Sequence, residues 1–187
     1  LKGRTSRPLE ILSVACGPAW ELRDLFQQPE DATRYSLTLL DQDAQALSEA
    51  RSAVEGAARA IDAEIHARYL CESVKTKRTD AELAEAWGRF DFIYSMGLFD
   101  YLTEKTAKSL LSTLYGQLQP GGRMIIGNYH TACVTRLYLD YWMDWPLVYR
   151  TESQLLALAG GLPSARTNIS FETTRSQMYP EISKPGE

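Results

Sequence analysis

Cysteine is scarce and excess basic charge is lacking in this chain, and each lack closes off a class of function. Three cysteines, Cys16, Cys71 and Cys133, stand far apart with no CxxC spacing. A zinc site needs clustered ligands and a disulfide framework needs a closely spaced, even set. No metal is expected, and a reducing, cytoplasmic setting suits the thiols. The 20 Lys and Arg are outnumbered by 24 Asp and Glu, for a net charge of -4, so the broad basic face that tracks nucleic-acid phosphates is not expected. The cluster KTKR at 75–78 reads as a solvated loop. No apolar run nears the ~20 residues of a membrane span, and the first residues lack a secretory h-region. No integral membrane segment is expected. Glycine is missing where a nucleotide-binding loop would be richest in it: ILSVACGPAWEL, residues 11–22, runs like a strand into a turn and a helix with Gly17 alone.

What is present has the balance of one folded domain. At 187 residues, with 44% hydrophobic and 24% charged residues, the chain can bury a sizeable core and matches neither a disordered tail nor a fibre. A single domain over 1–187 is expected; since it begins with Leu1 and a strand follows closely, so is an excised or processed piece lacking upstream residues. Short runs rich in Ile, Leu, Val, Tyr and Phe near 9–16, 37–41, 69–71, 90–96 and 122–127 read as strands buried on both faces. Helical stretches separate them. Residues 44–60 are Ala-rich despite Gly56, and Ala107, Leu110, Leu111, Leu114 and Leu118 form one stripe before QPGG at 119–122 stops the helix. Thr79 with Glu82 and Thr151 with Gln154 form two capping boxes, the second helix closing at Gly160 or Gly161. Strands alternating with helices imply right-handed crossovers, hence an α/β fold with a doubly wound, mostly parallel sheet. Residues 166–174 and 176–183, with only Arg175 between them, leave no room for a helix and read as an antiparallel hairpin. Pro180 suits a sheet edge.

In such a sheet, ligands bind beyond the carboxyl ends of the strands. Gly17 permits a sharp turn and a close backbone approach there, with Ala15 and Ala19, the next smallest residues, on either side. Asp41 ends a strand 24 residues after Gly17, close to the spacing at which a carboxylate accepts both hydroxyls of a ribose. YLCESV, residues 69–74, offers Glu72 and Ser73 to an adenine edge. FDFIYSMGLFDYL, residues 90–102, puts Ser95, Met96 and Gly97 at the strand end that would face the reacting group.

The order of LSVACGPA (12–19), LLDQD (39–43), CESV (71–74), FDFIYSMGLFDYL and LQPGGRMII (118–126), closed by a hairpin, resembles the class I S-adenosylmethionine-dependent methyltransferases over residues 9–183. More narrowly, YSMGLFDYL (94–102) with YLDYWMDWPLVYRTESQL (138–155) is similar to the bacterial extracellular-factor group, which makes 3-hydroxypalmitic acid methyl ester. The resemblance implies a Rossmann-like fold of seven strands, S-adenosyl-L-methionine as cofactor, and methyl transfer to a small molecule such as the carboxylate of a hydroxy fatty acid. It also implies roles. Ala15, Cys16, Gly17 and Pro18 would wrap the methionine and ribose, Asp41 would hold the ribose, and Gln42 would lie beside the adenine. Glu72 or Ser73 would meet the adenine amine, and Ser95 and Met96 would line the methionine end. The first loop departs from the family pattern of an acid followed by three spaced glycines: here stand Ser13, Ala15, Gly17 and Ala19, and one polar anchor is weakened.

Each assignment has a structural rival. Asp41 or Asp43 could cap the helix that follows, and Cys16 reads as a small buried hydrophobe. Tyr101, Tyr129, Tyr138, Tyr141, Trp142 and Trp145 fit either core packing or an apolar wall for a fatty or aromatic substrate; Tyr101, Tyr129, Tyr138 and Trp142 are the substrate candidates. His130, just past the last parallel strand, is the candidate catalytic base, set against a structural role. An acceptor carboxylate, with a reference pKa of about 4, would be ionised already and need no base. Two other readings compete: a non-catalytic methyltransferase-like binding module, motivated by the altered loop, and a nicotinamide-dependent oxidoreductase, which would require G-x-G-x-x-G.

Overall fold

Buried branched and aromatic side chains decide which segments become strands. Leu12, Val14, Leu37, Leu39, Leu40, Phe90, Ile93, Met124 and Ile126 are all nearly inaccessible to solvent. In the computed structural model, which describes residues 7–75 and 77–186, they lie on β1 (Leu9–Val14), β2 (Tyr35–Asp41), β4 (Phe90–Ser95) and β5 (Leu118–Ile126). The remaining strands are β3 (Ala67–Cys71), β6 (Asn128–Tyr129), β7 (Arg166–Phe171) and β8 (Gln177–Ser183). Helices α1 (Leu22–Leu25), α2 (Pro29–Arg34), α3 (Ala44–Ile61), α4 (Asp80–Ala86), α5 (Glu104–Gly116) and α6 (Glu152–Ala159) intervene. Thr76 of the KTKR cluster and residues 1–6, which bear on the expectation of a processed start, lie outside the described residues.

The chain divides into two units, Leu1–Ile93 and Tyr94–Glu187. In the first the strand order is β3-β2-β1-β4. β1 and β2 run parallel with Val14 opposite Leu40, and β2 and β3 run parallel with Asp41 opposite Cys71. The carboxyl ends of these three strands are therefore level. Helix α3 starts where Asp43 accepts the Gln45 N–H at 2.8 Å, buries Leu47, Ala50, Ala53, Val54, Ala57 and Ile61 at helical spacing, and ends at Asp62 in a left-handed conformation. The Thr79–Glu82 capping box forms as expected. Arg7 grips Asp91 through both guanidinium nitrogens at 2.7 and 2.8 Å, and the same carboxylate accepts the Glu10 N–H, tying the start of β1 to β4.

In the second unit β8 is paired on both flanks, antiparallel to β7 on one side and to β5 and β6 on the other. Ile125 opposes Glu181 and Asn128 opposes Met178, a single continuous register, so β5 and β6 are one strand interrupted opposite Pro180. Counted in that way, the eight strands among the described residues are the expected seven. Pro180 is thus not on an edge strand as expected. It is buried inside β8, at the gap in the ladder where no N–H is called for. The hairpin connection is also longer than Arg175 alone, because β7 ends at Phe171 and Glu172 folds its carboxylate over the turn to accept the backbone N–H groups of Thr174, Ser176 and Gln177. QPGG does not stop a helix and wait; it is already extended within β5, since Gly121 N–H reaches Pro185 O at 3.0 Å and Gly122 O accepts from Lys184. The Thr151–Gln154 box caps α6, which ends at Ala159 before Gly160.

The interruption between β5 and β6 falls at Gly127, whose N–H donates to Ser95 O at 2.8 Å. A Cβ at this position would lie 2.8 Å from Met96 O and 3.2 Å from Met96 Cα, against backbone that cannot yield. Gly127→Ala is therefore expected to destabilise the protein by about 1–3 kcal/mol, the usual range for overpacking. In urea unfolding this reads as a lowered midpoint with an unchanged slope.

Candidate active site

The loop after β1 holds three left-handed residues in alternation: Ala15 at φ 52°, Gly17 at φ 52° and Ala19 at φ 50°. An L-residue in that region costs about 1–2 kcal/mol relative to the right-handed basin. The backbone of a spaced-glycine loop is thus kept even though two of its glycines are alanine. Cys16 N–H bonded to Leu40 O at 3.1 Å and Ala19 N–H bonded to Cys16 O at 3.1 Å brace the turn.

Gly17 N–H then donates to Asp41 Oδ2 at 2.9 Å, so the turn and the acid at the end of β2 do meet. Asp41 Oδ1 accepts the Asp43 N–H at 3.0 Å, and the cap of α3 falls to Asp43. Each Asp41 oxygen keeps a second lone pair, the pair of acceptors that the hydroxyls of a vicinal diol require. A Cβ built on Gly17 meets no atom within 4 Å, leaving open space beside the turn. Cys16 is half-buried, its Sγ bonded to Gly17 O, and burial followed by the charges of Asp41 and Glu21 pushes its thiol up to about 12. It is a protonated thiol at neutral pH, consistent with a packing role.

Glu72 is brought level with Asp41, its N–H donating to Asp41 O at 3.0 Å. Its carboxylate is committed elsewhere: Oε2 accepts from Arg78 at 2.6 Å and from the buried Trp87 indole at 3.2 Å. Burial alone would raise its pKa, but the bonds from Trp87 and Arg78 more than offset this and hold it below the usual carboxylate range. Gln42 and Ser73 are exposed beside these strand ends, with Ser73 Oγ accepting the Lys75 N–H.

In the second unit Ser95 is buried at the end of β4 while Met96, the next residue, is exposed. The loop beyond contains a 3-10 turn, Phe99–Tyr101. Behind it lies a polar cluster that sequence reasoning missed. Arg150, 4% exposed, donates Nη1 to Phe99 O at 2.8 Å and to Asn128 Oδ1, and Nη2 to Leu102 O at 2.6 Å. Asp100, 3% exposed, accepts the Tyr129 N–H at 2.7 Å, and Asn128 Nδ2 donates to Tyr129 O and Val148 O. Burial pushes Asp100 up to about 6 despite the Tyr129 bond and the Arg150 charge. No local pattern marks these residues, because charged side chains are seldom so buried and their partners come from distant segments.

The substrate candidates separate into two pairs. Tyr101 and Tyr129 are both tied to this cluster, Tyr101 through its turn and Tyr129 through Asp100; Tyr101 Oη also accepts the Trp145 indole N–H. Tyr138 and Trp142 belong to an exposed π-helical turn, Trp142 being 83% accessible, and so are not core. His130 has both ring nitrogens engaged: Nδ1 accepts the Ala132 N–H at 3.2 Å, and Nε2 lies 3.1 Å from Glu152 Oε2. With Nδ1 an acceptor, the hydrogen is on Nε2 facing Glu152, and the ring's one lone pair is already engaged by the Ala132 N–H. The base assignment is therefore not carried forward; His130 joins α6 to the hairpin, its ring edge-on to Phe171 at 5.6 Å. Among the described residues no group of three or more His, Cys, Asp or Glu could hold a metal, and no helix is long and apolar enough to cross a membrane.

The family model described as a methyltransferase domain matches residues 11–122, more than half of the chain, and the chain belongs to that family. No curated protein sequence matches it significantly. Among solved structures, it is similar to a possible exported protein from Bordetella parapertussis, at 19% identity and TM-score 0.70, covering 96% of this chain and 63% of that one. It is also similar to magnesium protoporphyrin IX methyltransferase from Synechocystis PCC 6803 with bound SAH (14%, TM-score 0.64, 95% and 74% covered). A SAM-dependent methyltransferase from Methanosarcina mazei gives 16% identity and TM-score 0.63, with 98% and 95% covered. At these identities the likeness establishes the fold, and this chain spans less than two thirds of the Bordetella protein.

Two measurements test this geometry. Ala15→Gly removes the left-handed penalty of about 1–2 kcal/mol while adding about 0.5–1 kcal/mol of chain entropy, so a net gain of up to about 1.5 kcal/mol in urea unfolding is expected. For Asp100, a folded pKa of about 6 lies above the ordinary 3.8. The folded state then binds more protons between these values, so the contribution of Asp100 is fully present below pH 3.8 and is lost as pH rises through about 6. The stability of the wild type relative to Asp100→Asn should fall across that window and stay flat above it.

Proposed function

We propose that this protein is an S-adenosylmethionine-dependent methyltransferase acting on a small molecule, with a carboxylate as the methyl acceptor, as in a hydroxy fatty acid of the kind the extracellular-factor group esterifies. The observation that carries this reading is the Gly17 N–H bond to Asp41 at the level ends of β1 and β2, beneath a loop with left-handed residues at 15, 17 and 19. Membership of the methyltransferase family and the SAH-bound magnesium protoporphyrin IX methyltransferase of the same fold support it.

In this reading Asp41 accepts the ribose hydroxyls on its remaining lone pairs, and the backbone of Ala15, Cys16, Gly17 and Pro18 approaches the ligand across the open side of Gly17. Gln42 and Ser73, both exposed, flank the adenine, with Glu72 contributing its second oxygen. Ser95 and Met96 line the methionine end. Bound S-adenosylmethionine supplies an activated methyl group on a sulfonium, so transfer needs mainly an acceptor held in line. Tyr101 can do part of that holding: its hydroxyl accepts from Trp145, which leaves its own hydrogen to donate to a carboxylate. An ionised carboxylate needs no base, which agrees with His130 having none of its nitrogens available. The exposed rings of Tyr138 and Trp142 offer apolar contact to an acyl chain or aromatic body. With three free thiols, a reducing cytoplasm is the proposed setting.

Calorimetry with S-adenosylhomocysteine tests the reading. Wild type should bind, and Asp41→Ala should bind more weakly by at least about 1 kcal/mol, the low end for hydrogen bonds to a charged group. A folded wild type that gives no heat at millimolar ligand would instead be a binding module that has lost its cofactor, as the alanines in the first loop would then explain.

A further inference from the structure

Arg150 donates to both ends of one short turn: Phe99 O at its start and Leu102 O just past its end. The same guanidinium reaches Asn128 Oδ1, and Asn128 in turn donates to Tyr129 O and Val148 O. Asp100, inside the turn, accepts Tyr129 N–H through its carboxylate and Val148 N–H through its carbonyl. Three segments far apart in sequence are thereby locked to one another by buried polar groups. Stability alone is a weak reason for such a cluster, since well-packed apolar residues of similar volume often serve as well or better. Its specific effect is geometric. A planar guanidinium can bridge carbonyls on both sides of a turn, whereas a lysine ammonium is a point charge on a flexible stem.

We propose that Arg150, with Asp100 and Asn128, is a positioning residue for the acceptor side of the site, holding the Phe99–Tyr101 turn so that Tyr101 and Tyr129 present a fixed surface to the substrate. This rests on the methyltransferase reading above. Arg150 contacts neither cofactor nor acceptor in this proposal; it acts through the turn.

The test compares Arg150→Lys with the paired variant Arg150→Met/Asp100→Asn, in which no ionised group is left buried alone. Three readouts are taken: S-adenosylhomocysteine affinity by calorimetry, initial rates of methyl transfer from S-adenosylmethionine to 3-hydroxypalmitic acid, and amide hydrogen exchange by mass spectrometry. Both variants are expected to bind S-adenosylhomocysteine within about twofold of wild type, while kcat falls by at least about tenfold, as misplacement of a reacting group by a fraction of an ångström would cause. The amides of Tyr101, Leu102, Tyr129 and Val148 should lose protection by at least about tenfold, with β1 and β2 unchanged. If Arg150→Lys restores wild-type kcat, charge alone suffices and the positioning role is overturned. Unchanged protection in a folded paired variant overturns it as well. A wild type that binds S-adenosylhomocysteine but does not methylate the probe would remove the fatty-acid acceptor, and the exchange readout would still decide the positioning role. Absence of S-adenosylhomocysteine binding to wild type would remove the underlying reading instead.

Discussion

The hydrogen bond from the Gly17 amide to the Asp41 carboxylate is the constraint on which the functional reading depends. It joins a turn to a strand end across 24 residues of chain and exists only because β1 and β2 run parallel in a register that sets Val14 against Leu40. It also needs the left-handed conformation at Gly17, which directs the amide at the acid. Because Asp43 takes over the cap of α3, Asp41 is left with acceptor capacity that the helix does not use. A carboxylate with two hydrogen bonds and two spare lone pairs, at a level row of strand ends, is suited to grip a diol.

Backbone strain and close approach recur at the places where chemistry is proposed. Ala15 and Ala19 hold a conformation that alanine does not favour, and Gly127 touches the backbone of Met96 where no side chain would fit. The first departs from local preference and the second satisfies it, yet both keep a loop in one conformation. Strained positions persist only when the surrounding structure over-determines them. Here the bonds of Cys16 to Leu40, of Gly17 to Asp41 and of Ala19 to Cys16 supply that determination.

The second unit uses a different device. Arg150, Asp100 and Asn128 replace apolar packing with directional bonds, and each satisfies groups that burial would otherwise leave unmet. Directional bonds specify angle as well as distance, which apolar contacts do not. A surface proposed to present tyrosine hydroxyls and rings at set positions gains from such specificity.

Alternating apolar segments and helix caps are local properties, and they were legible: β1 to β5, α3, and the capping boxes at Thr79 and Thr151 follow from side-chain type and spacing over a few residues. So did the pairing of Gly17 with Asp41, since a parallel αβ unit places such residues at the same edge. The altered glycines were visible as letters, but that Ala15 and Ala19 would keep left-handed backbones was not, because φ is set by the braces around the loop. Pro180 was misplaced on an edge because its neighbours on both sides come from strands more than fifty residues earlier or just across the hairpin, and only pairing reveals the gap it fills. His130 looked available until the hairpin and Glu152 closed on it. Arg150 gave no sign at all. The sequence by itself determined most of the elements, their order and the acid beneath the first loop, since these arise from short-range patterns; burial of charge, the tautomer of a histidine and the break in a strand were decided by tertiary structure, because each depends on which distant groups arrive to share hydrogen bonds.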